Sequence, residues 1–153
     1  MSLAGIAEAW GRPVQPATVA GRDLFAGTLR EINAGARVHY DEVVREFPDG
    51  LFDQRVVAQL AFNLDLSVPE AGGQTCVWRR CWSPHDEVHR RGYGYNSEVI
   101  IEAQHVTVAP EVGDGVLFNP RHYHAVTAAK RGRRIAVAFF LAITGGGQLV
   151  VWS

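Results

Sequence analysis

The chain has 153 residues, of which 47% are apolar and 20% charged, and its formal charge is −1. That length supports one domain with one core, and the near-neutral balance without a basic tail gives nucleic acid or an anionic membrane nothing to hold. No run approaches the roughly 20 consecutive apolar residues of a membrane span.

Residues 1–11 lack the basic start and apolar stretch of a signal peptide. Residues 4–10 have the spacing of one short helix, which Gly11, Pro13 and Pro16 end. The first 20 residues thus read as a helix and linker ahead of a core at about 32–143, all within a single domain 1–153. From there the pattern is β. Strands are predicted at 36–40, 56–66, 75–82, 99–108, 115–118, 124–127, 134–143 and 148–152. They are rich in Val, Ile, Phe and Trp, with Pro and Gly clusters between them. Many strands and little helix describe a mainly β fold: a sandwich, a barrel or a jelly roll. The segment 83–96 has no clear period and reads as a loop over a site. Cys76 and Cys81, the two cysteines, match neither a zinc pattern nor a disulfide framework, so a reducing cytoplasm is expected.

Candidate chemistry begins at His39-Tyr40-Asp41. In an extended chain alternate side chains share a face, so His39 and Asp41 point together and Tyr40 points away. An imidazole and a carboxylate so placed are two thirds of a 2-His-1-carboxylate set, which suits non-haem iron(II) because it leaves positions open. His124 starts an apolar strand and is the candidate third ligand. His122, two residues earlier on the same face, is its rival. His85-Asp86-Glu87 is a second His-x-acid triplet, but it follows Pro84 without strand support. His89 and His105 read as surface or core histidines.

Arg134 heads the apolar strand that follows. Turned inward, it must find an anion, because a buried unpaired guanidinium is too costly, and a carboxylate fits its planar fork. Arg133 points to the other face. In the strand after Gly72-Gly73, Trp78, Arg80 and Trp82 alternate with Arg79 and Cys81. They read equally as core packing with a solvated Arg80, or as a substrate wall in which Arg80 meets a carboxylate.

Taken together, His39-x-Asp41, Leu64-Asp65-Leu66, Gly72-Gly73-Gln74-Thr75, Pro110-x-x-Gly113-Asp114, Val116-Leu117-Phe118, His124-x-Val126 and Gly132-x-Arg134 resemble the 2-oxoglutarate/iron(II) oxygenase superfamily over residues 32–143. The resemblance implies a double-stranded β-helix, the jelly-roll barrel that cupins share. It implies Fe(II) on His39, Asp41 and His124, and 2-oxoglutarate with its distal carboxylate on Arg134. Asp65 stands where relatives often have a tyrosine, so Asn63 and Gln59, on the same strand face, become candidate contacts to the cosubstrate. Because Asp41 fills the carboxylate position, hydroxylation is expected rather than halogenation. The substrate is expected to be a small molecule, an amino acid or natural-product intermediate, with Tyr93 and Tyr95 closing over it from a mobile 83–96 lid. The alternatives are a cupin-like metalloprotein, acting as an isomerase or an oxygenase without 2-oxoglutarate, and an inactive β-helix that binds a partner. With so little chain before His39, a homodimer is expected in which residues 4–10 or 149–152 pack on the second copy.

Overall fold

The opening residues form a helix as their spacing predicts: α1 (Leu3–Trp10) buries Ile6 and ends where Gly11 follows. The structure is a computed structural model that describes residues 3–153, so Met1 and Ser2 of the expected single domain lie outside the described residues. Short strands follow: β1 (Val14–Pro16), β2 (Thr18–Val19), β3 (Arg22–Asp23), β4 (Thr28–Glu31) and β5 (Ala36–His39). After the turn of helix α2 (Val43–Glu46) come β6 (Val56–Ser67), β7 (Thr75–Cys81), β8 (Arg90–Arg91), β9 (Gly94–Tyr95) and β10 (His105–Val108). The chain closes with β11 (Gly115–Phe118), β12 (His122–Val126), β13 (Ile135–Thr144) and β14 (Leu149–Trp152). Among the described residues no helix is long and apolar enough to cross a membrane.

Two six-stranded sheets carry the architecture of a jelly roll. One runs β1-β14-β13-β6-β11, with β4 also paired to β13, and the other runs β10-β7-β12-β5-β9-β8. Their pairings are antiparallel except for β1 with β14. Alternation along β6 explains the layering. Leu60, Phe62 and Leu64 pack with Phe139, Leu141, Val151 and Ile6, while Ala61, Asn63 and Asp65 belong to the opposite face. Phe62 is 1% exposed, and burying one such side chain contributes about 1.5–3 kcal/mol. Gly115 lies so close that a Cβ there would come within 2.7 Å of the Phe62 ring. In the turn before β7, Gly72 has φ +79° and a Cβ would meet the Ala128 carbonyl oxygen at 2.0 Å, so only glycine makes this turn.

Three expectations are corrected. Residues 97–100 form a 3₁₀ turn rather than the start of a strand, because Val99 inserts into a core with Tyr95 and Tyr123. A short apolar run does not distinguish these outcomes. Residues 83–96 are an ordered unit and not an irregular loop: a 3₁₀ helix (Pro84–His89) leads into a β8–β9 hairpin that extends the sheet beside β5. The ends expected to cover a second copy pack on their own chain. Ile6 joins the core, and β14 is buried throughout between β1 and β13.

Candidate metal and cosubstrate site

β5 and β12 are hydrogen-bonded neighbours in register at His39 and His124. The pairing puts the two imidazoles 4.2 Å apart between ring centroids. Asp41 follows β5, its backbone N–H donating to the Pro120 carbonyl at 2.9 Å. Its Oδ2 lies 3.3 Å from His124 Nε2 and 3.8 Å from His39 Nε2. Among the described residues these three form a group whose ligating atoms all lie within 4.8 Å of one another.

Both rings are aimed. His39 Nδ1 hydrogen-bonds the Arg37 carbonyl at 2.7 Å, and His124 Nδ1 the His122 carbonyl at 2.9 Å. With the proton on Nδ1, each Nε2 lone pair is left for a common point, the outer-shell device that orients metal-bound histidines. Burial first, then the neighbouring His124 charge, holds the His39 pKa below the usual histidine range, which favours the neutral, ligating form. Burial pushes the Asp41 carboxyl up, but the His124 hydrogen bond and the charges of His124, His39 and Arg30 outweigh it and leave the pKa lowered. Imidazole nitrogens and an ionised carboxylate are the donor set that iron(II) prefers, so the residues present fit that metal.

The same cavity extends to Arg134, past Ala61, Asn63, Thr75, Phe118 and Ala138. Arg134 is 2% exposed. Its guanidinium reaches Asp65 Oδ1 at 3.1 Å and Thr75 Oγ1 at 3.4 Å. Although the Asp65 distance is that of an ion pair, its geometry makes no hydrogen bond, and Arg134 Nε has no acceptor among the described residues. A buried N–H without an acceptor, on a residue that lines the cavity together with Ala61 and Ala138, fits an anionic cosubstrate. Arg133 points outward to Glu31, with Nε to Oε1 at 2.8 Å.

The remaining predicted site residues are distributed differently. Asn63 lines this cavity. Gln59 does not; its Oε1 accepts the Val43 N–H at 2.9 Å and so fastens α2. His122 is separated from His124 by an irregularity: β7 runs from Val77 to Cys81 while β12 runs only from His124 to His122. Its ring lies near Cys81, with Nδ1 and Sγ 4.0 Å apart. Arg80 turns away from the cavity, donating to the Val99 carbonyl and pairing with buried Asp86 at 2.5 Å. Asp86 also accepts from Tyr123 Oη at 3.0 Å and Ser83 N at 2.9 Å. The competing triplet is therefore already engaged.

Trp78 stacks near His105. Tyr95 is buried, donating to Glu87 at 2.7 Å. Tyr93 is 62% exposed; its ring meets His39 edge-on at 5.7 Å and its hydroxyl accepts the Arg37 N–H. Two arginines were not foreseen. Arg30 lines the cavity of His39, Asp41 and His124. Arg79, where Arg80 was expected, lines a larger open cavity with Val77, Val106 and His122, and its guanidinium meets no acceptor among the described residues. That cavity, of about 610 Å³, is larger than the one of about 80 Å³ that His39, Asp41 and His124 line.

Residues 9–153 match the model of the family described as carrier-protein-independent halogenase WelO5. The chain is 51% identical over 154 residues to L-gamma-glutamyl-L-propargylglycine hydroxylase of Streptantibioticus cattleyicolor, covering all of this chain and 58% of that protein. It is 33% identical over 156 residues to leucinostatins biosynthesis cluster protein S of Purpureocillium lilacinum, covering 94% of this chain and 63% of the other. The chain thus spans about 60% of the length of these curated relatives. An N-substituted L-amino acid dioxygenase of Burkholderia ambifaria, solved in complex with alpha-ketoglutarate, superposes with a TM-score of 0.70 at 18% identity, over 92% of this chain and 58% of that one. At that identity the likeness concerns the fold, which is the oxygenase jelly roll.

Proposed function

Because the chain belongs to the carrier-protein-independent halogenase WelO5 family, within the 2-oxoglutarate/iron(II) oxygenase superfamily, we propose that it hydroxylates a small amino-acid-derived substrate using Fe(II) and 2-oxoglutarate. One observation carries the reading: His39, Asp41 and His124 converge in the cavity that also holds the unsatisfied Arg134. When both are bound, iron and 2-oxoglutarate supply the activation of dioxygen, and the protein supplies placement.

His39, Asp41 and His124 would hold the metal, with each imidazole locked by its carbonyl partner. Arg134 binds the distal carboxylate of 2-oxoglutarate, with Asn63 and Thr75 beside it. Phe139 and Val126 add apolar lining to the cavity, and Phe118 lies against His124, 4.9 Å from ring to ring. Asp41 occupies the ligand position that a halide would need, which favours hydroxylation. The free thiols Cys76 and Cys81 suit a cytoplasmic setting.

On the substrate side, Arg79 is the natural partner for a substrate carboxylate, since Arg80 is already engaged. The test is anaerobic loading with Fe(II) and 2-oxoglutarate, followed by air and candidate substrates, L-gamma-glutamyl-L-propargylglycine among them. Succinate formation coupled to a product heavier by one oxygen atom is expected. An Fe(II)-loaded protein that neither binds nor consumes 2-oxoglutarate would refute the reading.

Two variants separate the roles. Arg134→Lys should raise the KM for 2-oxoglutarate by about tenfold or more, because an ammonium cannot reproduce the guanidinium fork. Arg133→Lys, on the outer face, should leave it unchanged. Arg79→Gln should raise the KM for a carboxylate substrate by about tenfold, the scale of one lost charged hydrogen bond, and leave the KM for 2-oxoglutarate alone. Equal effects on both constants would place Arg79 outside substrate binding.

A further inference from the structure

We propose that Asp65 holds the guanidinium of Arg134 in place of the cosubstrate's distal carboxylate, and lets it go by taking up a proton as that carboxylate binds. The inference rests on the reading of Arg134 given above. Asp65 is 1% exposed and Arg134 2%, so neither is solvated. A buried charge of either sign without a partner is strongly unfavourable, and in the cosubstrate-free protein each is the other's counter-ion. The pair is nevertheless poorly made: 3.1 Å apart, without hydrogen-bond geometry, and with Asp65 Oδ1 and Arg134 Nε both unsatisfied. A structural ion pair built only for stability would use the bidentate fork. This one leaves an N–H free at the edge of the cavity.

The backbone fixes Asp65 where it stands. Its N–H donates to the Asp114 carbonyl at 3.0 Å, and its own carbonyl accepts from Gly113 N at 2.8 Å. Ala136 of β13 lies opposite it in register, and Arg30 of β4 lies opposite Ala136 on the other side. The charged groups around Asp65 are therefore Arg134 at the head of β13, Asp114 before β11, and Arg30 across the alanine. Bringing a second carboxylate to Arg134 would leave two anions and one guanidinium in a dry pocket. Burial already pushes the Asp65 carboxyl up, Arg134 opposes this, and Asp114 adds to it. A further anion adjacent to Asp65 acts in the same direction. Protonated, Asp65 stops competing for the guanidinium, and its O–H can donate to the incoming carboxylate. The proton comes from solvent, and no bond to carbon changes.

Calorimetric titration of 2-oxoglutarate into the Fe(II)-loaded protein without oxygen, in buffers of different ionisation enthalpy, counts the protons. The wild type should take up about one proton per 2-oxoglutarate bound. Its Kd should weaken by up to about tenfold per pH unit above the point where Asp65 ionises. The sign follows from linkage: at lower pH Asp65 is already neutral and Arg134 is available, whereas at higher pH the pair must be broken first. Asp65→Asn should bind 2-oxoglutarate with no such uptake and with a flatter pH profile. Asp65→Ser serves the same purpose if the amide does not fold. Binding by the wild type without proton uptake overturns the proposal, and so does undiminished uptake in either variant. Arg134→Gln tests the premise separately: unchanged 2-oxoglutarate affinity there removes Arg134 as the anchor, whatever Asp65 does.

Discussion

Asp41→Ala is expected to eliminate turnover, by at least about three orders of magnitude, or about 4 kcal/mol in activation free energy. Asp41 is the one anionic residue in the group, and its Oδ2 lies within 3.8 Å of the Nε2 atoms of both His39 and His124. Without it, two neutral imidazoles face the metal, and an iron(II) ion loses its only neutralising protein charge. Iron content after anaerobic loading should fall in parallel with 2-oxoglutarate consumption. The fold should persist, because the backbone tie of Asp41 to Pro120 uses its N–H and not its side chain. Circular dichroism would confirm that persistence. Retained iron-dependent activity in the variant would refute the ligand set.

A second large effect is expected away from the metal. Asp86→Ala should destabilise the protein by about 3 kcal/mol, the lower end of the range for breaking a buried ion pair. The side chain is 3% exposed and accepts from Arg80, from Tyr123 Oη and from Ser83 N. Alanine leaves the Tyr123 hydroxyl, on a residue with no exposure, without an acceptor. The Arg80 half is discounted, since its side chain is 38% exposed and water can reach it. Tyr123→Phe should cost less, about 1 kcal/mol, because donor and hydrogen bond leave together. Urea denaturation measures both. Tyr123 lies between His122 and His124 on β12, so the Asp86 network also fixes the strand that carries His124. A denaturation midpoint unmoved by Asp86→Ala would show that the 84–89 segment contributes little to that strand.

Part of the molecule follows from local pattern. His39 and Asp41 share a face because an extended chain alternates, and that relation needs no partner strand. The strand at 115–118 is bounded by its own glycine and by Asn119-Pro120, and it forms where the pattern predicts. Arg134 turns inward because a strand beginning Ile-Ala-Val-Ala leaves it the face of the small residues. Its charge then requires an anion.

What the tertiary structure decided are the matters set by a second strand. Arg79 shares the parity of Thr75 and Val77, which pair with Val126 and His124, and so it and not Arg80 lines the open cavity; the extra residues of β7 opposite β12 separate His122 from His124. No periodicity in one strand records an irregularity that exists only in its pairing with another. Gln59 shares the parity of Asn63, but α2 packs over it and claims its carbonyl oxygen. Residues 83–96 lack a period because their order comes from contacts across the chain: Asp86 with Arg80 and Tyr123, and Tyr95 paired against Val38. Asp65 is a lone acidic residue in an apolar run. It becomes the counter-ion of Arg134 only because β6 and β13 lie side by side, which brings two residues distant in the chain into one buried pair.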